Sequence, residues 1–189
     1  MDHAHHASRG EEGGMVMNEN LERLPRDCHA ISAEVRLEIK AGAEFAGPFP
    51  GEIFAYDMQT LQVPPCSRVT VRFDNHDEVR HQWMVHGLPR YLYPGGMFHI
   101  EANGSATITG TFIVPSDERT YLVHCDLPQH MEKGMKAQLV VGKGSGDLWS
   151  VPGVSGDFRP EPYLPAAAGV WLVAAIVAGF VLARFLTRG

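Results

Sequence analysis

A thiol, an imidazole and a thioether follow one another at even spacing in the second half of the chain. Cys125, His130 and Met135 fit the pattern C-x4-H-x4-M. Strands are predicted just before the cysteine and just after the methionine, so a single loop could bring all three side chains to one point. This donor set suits copper, which in trigonal sites takes one thiolate, two imidazoles and a weak axial methionine.

The second imidazole is expected to come from His81. This residue follows a polar turn at the end of the strand predicted over residues 68–73, and it opens the next strand. The pattern thus predicts one mononuclear metal site, made of His81, Cys125, His130 and Met135. A structural zinc site would favour a fourth strong ligand over a thioether, and a binuclear copper site would need a second cysteine in the loop. Two alternatives stay open, because Cys125 could be an inert buried thiol and Met135 could simply fill the core.

Short segments of alternating apolar and polar residues fill the middle of the chain and must position these side chains. The clearest of them are residues 33–39, 68–73, 106–113, 121–124 and 137–141. Clusters of Pro, Gly, Asn and Asp separate the segments at short intervals. Many short strands with this spacing predict an all-β protein, an antiparallel sandwich or barrel.

The two ligand segments resemble the type 1 copper motifs of the cupredoxin family, and they are most similar to those of multicopper oxidases. In the oxidases the cysteine loop reads H-C-H-x3-H-x4-M, and the distant histidine opens an H-P-x-H-x-H-G motif. The resemblance covers roughly residues 30–142. It implies a cupredoxin-like Greek-key β-sandwich that holds one type 1 copper per chain through the four residues named above.

The chain departs from the oxidase pattern where further histidines would bind a trinuclear, oxygen-reducing copper cluster. The matching positions hold Met84, His86, His124 and Asp126, so only two of the four histidines are kept. The resemblance therefore implies electron transfer without oxidase chemistry. Because His124 alternates with the cysteine along a strand, we expect it to point away from the copper. His86 and His124 are predicted to be surface residues or neighbours of the site rather than ligands.

The remaining cysteines and histidines have weaker assignments. The chain has three cysteines, so at most one disulfide can form. Cys28 and Cys66 both precede predicted strands and could form a bridge in an oxidising compartment, although the sequence fixes no distance between them. His76 and His99 have no informative spacing and are predicted to be solvated.

An uncharged apolar run over residues 166–183 stands near the C-terminus. At about 1.5 Å per residue, a helix over residues 164–186 is long enough to span a bilayer; a buried core helix is the alternative. Arg184 and Arg188 follow the run and acidic residues precede it, which places the short C-terminal tail in the cytoplasm and the main domain on the outer, periplasmic or extracellular face. The first residues contain no apolar core of a signal peptide, so the export route stays open.

We predict four regions along the chain. Residues 1–27 are expected to form a flexible His-rich arm, with a weak adventitious metal site in preference to a copper-acquisition role. Residues 28–143 are the predicted cupredoxin domain, residues 144–163 a linker rich in Gly, Pro and Ser, and residues 164–186 the transmembrane helix.

Charge and length limit the partners and the number of domains. A formal net charge of −6 gives no broad basic surface, which argues against nucleic acid as a partner. With 189 residues, of which 44% are hydrophobic, the chain suits one globular domain with appendages.

Three functions remain open at this stage. The favoured one is a membrane-anchored shuttle that transfers electrons between redox proteins, which would dock near His130 and its apolar neighbours. A copper carrier or storage protein is the second. The third is a small oligomeric copper oxidase or nitrite reductase, in which His86 and His124 of neighbouring chains build a catalytic copper. We therefore expect an electron carrier rather than an enzyme.

Overall fold

Two β-sheets make up the part of the chain within residues 13–154 of the computed structural model, and Arg184 is the only other residue described. The strands are β1 (Gly14–Met17), β2 (Glu34–Gly42), β3 (Ala55–Tyr56), β4 (Thr60–Val63), β5 (Arg68–Asn75), β6 (His81–His86), β7 (Met97–Ala102), β8 (Thr107–Ile113), β9 (Thr120–His124) and β10 (Lys136–Val141). Short 3-10 turns stand at Ala43–Ala46 and Pro94–Gly96.

The larger sheet has six strands in the order β1-β7-β6-β9-β10-β4, and the smaller has four in the order β3-β2-β5-β8. Most neighbours are antiparallel, but β2 pairs parallel with β5 and β4 pairs parallel with β10. The expectation of an antiparallel sandwich or barrel holds for a sandwich but is corrected at these two parallel pairs, because the chain crosses repeatedly between the sheets. These crossings make β6 and β9 neighbours, although they are far apart in sequence.

One hydrophobic core lies between the two sheets. Alternation along β5 turns Val69, Val71 and Phe73 inward, and all three are fully buried. Trp83 of β6 and Phe112 of β8 reach this core from opposite sheets, with ring centroids 6.1 Å apart. Burial of such large apolar side chains is the main favourable term in folding.

The five strands predicted from alternation are confirmed as β2, β5, β8, β9 and β10, with somewhat different ends. The five predicted segments do not include β1, β3, β4 or β7. Strands β3 and β4 have only two and four residues, which is too short for a period to show. Strand β7 does alternate over residues 98–102, with Phe98, Ile100 and Ala102 in the core, but His99 on its other face is buried as well.

The N-terminal residues correct the prediction of a flexible arm over residues 1–27. Gly14–Met17 pairs antiparallel with β7 at the edge of the larger sheet. Asn20 is buried, and its backbone N–H donates to the carbonyl of Thr111 over 2.8 Å. The arm prediction is wrong for this stretch, because the free backbone edge of β7 pairs with a segment that has no pattern of its own. Residues 1–12 lie outside the described residues.

The first part of the predicted linker also packs against the sandwich. The buried side chain of Gln138 on β10 donates to Asp147 Oδ1 over 2.7 Å and accepts from the backbone N–H of Leu148 over 2.9 Å. Val151 is buried as well. The linker prediction is thus corrected for residues 144–154, and the remainder of that segment lies outside the described residues.

The predicted membrane helix over residues 164–186 falls outside the described residues, apart from Arg184. Within residues 13–154 and at Arg184, no helix has the length and apolar character needed to cross a membrane. Membrane anchoring therefore stays a prediction.

A disulfide joins Cys28 to Cys66, with Cα atoms 5.7 Å apart. This decides the pairing that the sequence leaves open, and the distance lies within the usual range for such bridges. The bridge ties the segment before β2 to the turn before β5. Cys125 is the remaining cysteine of the chain; it is free and buried.

Candidate metal centre

The turn between β5 and β6 positions His81. Asn75, the last residue of β5, donates through its side-chain amide to the carbonyls of Val79 and Ala102, over 2.8 and 3.1 Å. Its side-chain oxygen accepts the backbone N–H of Asp77 over 2.9 Å. This buried amide fixes the turn from within, so that His81 enters β6 fully buried at the end of the sandwich.

The loop between β9 and β10 carries the other predicted ligands and is closed by its own backbone. The N–H of Cys125 donates to the carbonyl of Met135 over 3.1 Å, and the N–H of Met135 donates to the carbonyl of His130 over 3.0 Å. The N–H of His130 donates in turn to the carbonyl of Leu127 over 3.1 Å. The even C-x4-H-x4-M spacing thus becomes a compact turn.

A second segment docks on this loop and requires a glycine in it. The backbone N–H groups of Ile53 and Phe54 both donate to the carbonyl of Lys133, over 2.9 and 3.0 Å. Gly134 follows with a φ of +106°, and a Cβ there would lie 2.7 Å from the carbonyl oxygen of Phe54. Only glycine combines this backbone conformation with so close an approach.

Three donor atoms converge where these segments meet. Nδ1 of His81 lies 3.1 Å from Nδ1 of His130, which lies 3.5 Å from Sγ of Cys125. All three donor atoms lie within 4.8 Å of one another. His81 and Cys125 are buried, whereas His130 is only half-buried. The structure therefore brings together three of the four predicted ligands, with one imidazole reaching the surface.

A carboxylate fixes the orientation of the His81 ring. Asp77 Oδ2 lies 2.7 Å from Nε2 of His81. Because a carboxylate only accepts, Nε2 carries the hydrogen and Nδ1 keeps its lone pair toward the other donors. The same carboxylate accepts the backbone N–H of Ala43 over 3.0 Å. Asp77 is thus held from two sides, as outer-shell partners of metal-binding histidines commonly are.

One aromatic ring contacts both imidazoles. Phe54 stacks on His130 with centroids 4.5 Å apart and an interplanar angle of 28°. Its edge meets His81 at 5.2 Å and 65°. This half-buried ring restricts rotation of both histidines and covers the donor cluster on one side.

Burial sets the protonation of the three donors. It raises the pKa of the Cys125 thiol to about 11, although two backbone hydrogen bonds act in the opposite direction. Burial lowers the pKa of His81, against the effect of Asp77, and lowers that of His130, to which the nearby His81 adds. Neutral imidazoles already have their ligand form, and a bound cation would take the place of the thiol proton.

These donors fit a single copper ion. Within residues 13–154, His81, Cys125 and His130 form the only group of three or more His, Cys, Asp or Glu whose donor atoms lie this close. One thiolate and two imidazoles are the in-plane ligands of type 1 copper sites. Met135 is fully buried and bonded through its backbone to both Cys125 and His130. Its role as an axial ligand stays a prediction.

The other histidines do not join this group. His124 points to the opposite face of the sheet, where it stacks on His86 with centroids 4.7 Å apart and planes inclined by 9°. His99 is 5% exposed, so the prediction that it is solvated is wrong. His76 is exposed, as predicted, and its Nδ1 lies 2.6 Å from Oε1 of Glu44.

Two further residues of the centre were not expected from the sequence. Asp77 stands four residues before His81, and that i,i+4 carboxylate was the available signal. Phe54 has no such signal, because its contact with His130 depends on how a distant segment crosses the loop.

The two-sheet sandwich and the thiol flanked by two imidazoles agree with what the resemblance to cupredoxins implies: a β-sandwich with one candidate copper site. No protein-family model and no curated protein matches the chain. Solved structures similar to it include the blue copper protein auracyanin A of the thermophilic photosynthetic bacterium Chloroflexus aurantiacus. That match has 27% identity, 58% coverage of this chain, 99% coverage of that chain and a TM-score of 0.45.

Two other similar structures are a second auracyanin and a multicopper oxidase. Auracyanin B has 19% identity, 70% and 99% coverage of this chain and that chain, and a TM-score of 0.48. A multicopper oxidase of Pseudomonas thermotolerans has 18% identity, 59% and 30% coverage, and a TM-score of 0.44. Because these TM-scores are below 0.5, the assignment of a β-sandwich with a candidate copper site rests on the sheets and donor cluster of this chain itself.

Proposed function

We propose that this chain is a membrane-anchored electron-transfer protein that holds one type 1 copper ion through His81, Cys125, His130 and Met135. The observation that carries the proposal is the convergence of a buried thiol and two imidazole Nδ1 atoms within 4.8 Å. Copper bound there would supply a one-electron redox change. The chain's part is to hold the donors in place and to exclude water from the sulfur.

The half-buried His130 is the proposed point of electron entry and exit. It is the one member of the donor cluster that reaches the surface. Half-buried Leu127 and exposed Ile53 lie in the two segments that meet at this loop. An apolar rim of this kind suits brief docking of redox protein partners, because it excludes water without a large charged contact.

We further propose that the domain works on the outer face of a membrane, anchored by the apolar segment over residues 164–186. The cationic Arg184 and Arg188 follow this segment, as the positive-inside rule requires for a cytoplasmic tail. The Cys28–Cys66 disulfide supports the same placement, since such bridges persist in oxidising compartments.

Visible absorption of the copper-loaded chain tests the metal assignment. The resemblance to blue copper proteins implies that a type 1 thiolate–copper bond gives an intense band in the visible range. Cys125→Ser should abolish the band. His29→Gln, at an exposed histidine outside the site, should leave it unchanged. A loaded chain without the band, or a band that survives Cys125→Ser, would contradict the proposal.

Electron self-exchange between oxidised and reduced copies tests the role of the His130 surface. Leu127→Lys should slow exchange, measured by NMR line broadening, by at least about tenfold, because like charges would meet across the contact. Leu21→Lys, at an exposed leucine on another segment, is the matched control. Equal rates in both variants would place docking elsewhere.

A further inference from the structure

A row of three potential ligands crosses the outer face of the six-stranded sheet. Met84 on β6 is paired with His99 on β7 and, on its other side, with His124 on β9. Directly paired residues share one face of a sheet, with Cβ atoms about 4.5–5.5 Å apart. Met84, His99 and His124 are 4%, 5% and 7% exposed, so the row is shielded from solvent.

A third histidine adjoins this row. His86 follows Met84 by two residues, so it lies on the same face, and its ring stacks on His124 at 4.7 Å. We call Met84, His86, His99 and His124 the outer-face cluster. It lies on the side of the sheet away from the core, into which Cys125 points, so it is separate from the candidate metal centre.

Each imidazole of the outer-face cluster has one buried nitrogen without a hydrogen-bond partner. Nε2 of His86, Nε2 of His99 and Nδ1 of His124 are buried without any hydrogen-bond partner. Buried polar atoms are normally satisfied, so three such atoms in one cluster require an explanation. An unpaired imidazole nitrogen beside a thioether is a ready ligand for a soft metal ion.

The electrostatic surroundings also favour a cation. The negative charge of Asp126 acts on both His86 and His99, and that of Glu101 acts on His99. Burial lowers the pKa of His86 and of His99, which keeps their rings neutral and their lone pairs available. Further thioethers flank the cluster, since Met17 is paired with His99 and Met97 with His86.

We propose that the outer-face cluster binds one copper ion as Cu(I), through imidazole nitrogens of its histidines and the thioether of Met84. Thioether and imidazole donors suit Cu(I) better than hard cations. His86 and His124 occupy positions where the oxidase motifs have cluster histidines, whereas Met84 replaces a third histidine and His99 lies outside both motifs. The proposed ligand set therefore differs from that of the oxygen-reducing cluster. The inference does not depend on the proposed electron transfer.

Anaerobic Cu(I) titration of the full chain in competition with bicinchoninate tests the proposal. The candidate metal centre is first disabled by His81→Gln with Cys125→Ser. This variant should still retain one Cu(I). Adding His99→Gln or Met84→Leu removes a proposed ligand. The Cu(I) affinity should then fall by at least roughly 10–100-fold, which is the loss typical of removing an outer-shell partner. Adding His29→Gln, at an exposed histidine, should change nothing.

A readout on the unsubstituted chain covers the case in which a variant fails to fold. In methyl NMR spectra, a second equivalent of Cu(I) should shift the ε-methyl signal of Met84 and leave that of exposed Met58 in place. The proposal is overturned if the disabled variant binds no Cu(I), or if the ε-methyl signal of Met84 does not respond. It is also overturned if Zn²⁺ but not Cu(I) binds through His99.

Discussion

Potential metal ligands lie on both sides of the six-stranded sheet, and the two groups differ in how firmly the surrounding structure holds their side chains. On the inner side, His81, Cys125 and His130 converge within 4.8 Å, and the second nitrogen of His81 is held by Asp77. On the outer side, each imidazole of the outer-face cluster has one buried nitrogen without a hydrogen-bond partner. The inner donors are positioned before any ion arrives, whereas the outer ones must adjust around it.

This difference has a physical consequence for exchange. A site whose ligands are fixed by packing and outer-shell hydrogen bonds resists rearrangement and suits electron transfer. A site whose ligands must move gains and loses its ion more readily. We therefore expect copper at the candidate metal centre to exchange slowly with chelators, and Cu(I) at the outer-face cluster to exchange fast.

The largest effect is expected from Trp83→Ala, because Trp83 anchors the strand that both sites share. Its ring is fully buried, with centroids 6.3 Å from Phe98 and 6.1 Å from Phe112. The variant should lose about 3–5 kcal/mol of unfolding free energy, measured by urea denaturation. Both sites should then fail at one urea concentration. Trp83→Phe is the control, and loss of one site well before the other would show that β6 does not couple them.

The second largest effect is expected from removing the disulfide. The double variant Cys28→Ser with Cys66→Ser should lose about 2–4 kcal/mol of unfolding free energy, because the unfolded chain no longer has a cross-link between residues 38 positions apart. Thermal unfolding measures this loss. No residue of either site adjoins Cys28 or Cys66 in the sequence, so the copper band and Cu(I) binding should be unchanged. A shifted band would show that the bridge shapes the centre.

Asp77→Ala should affect one site and spare the other. Loss of the carboxylate frees the His81 ring, which should lower copper affinity at the candidate metal centre by roughly 10–100-fold and change its reduction potential. Chelator competition and voltammetry measure the two effects. Asp57→Ala is the matched control, since Asp57 also accepts a backbone N–H, that of Lys40, away from both sites.

The conservative variant Asp77→Asn separates orientation from charge. An asparagine oxygen can still accept from Nε2 of His81, so affinity should recover in part while the potential remains changed. If Asp77→Ala weakens Cu(I) binding at the outer-face cluster equally, the two sites are not independent.

Local sequence spacing predicts the parts of the fold and centre that depend on one loop or one period. The C-x4-H-x4-M segment folds back on itself through its own backbone hydrogen bonds, so Cys125, His130 and Met135 adjoin as expected. Alternation likewise reveals β2 and β5, each with one buried face. His81 comes from a separate segment, and the resemblance to a known motif was needed to place it.

Contacts between distant segments could not be read from such patterns. Strand β1 forms because the edge of β7 has free backbone groups, which leaves no trace in the sequence of Gly14–Met17. His99 is predicted to be solvated because it has no spacing to other ligands, yet β7 buries it on the outer face of the sheet. Its relation to Met84 and His124 exists only once β6 lies between β7 and β9.

The smallest effect is expected from Phe54→Leu, which tests how rigidly the inner donors are held. The substitution removes the ring stacked on His130 but keeps an apolar side chain. Stability should fall by about 1 kcal/mol, and the copper band should persist. Chelator-driven copper release should become faster, because the His130 ring can rotate more freely. Stopped-flow measurement of that release checks the prediction.

Phe45→Leu is the matched control for this last test. Phe45 makes an edge contact with His76, with centroids 5.3 Å apart, outside both sites. Its replacement should leave copper release unchanged. If both variants release copper at the original rate, packing against Phe54 does not hold the centre. The contrast between fixed inner donors and adjustable outer ones would then depend on Asp77 and the loop backbone alone.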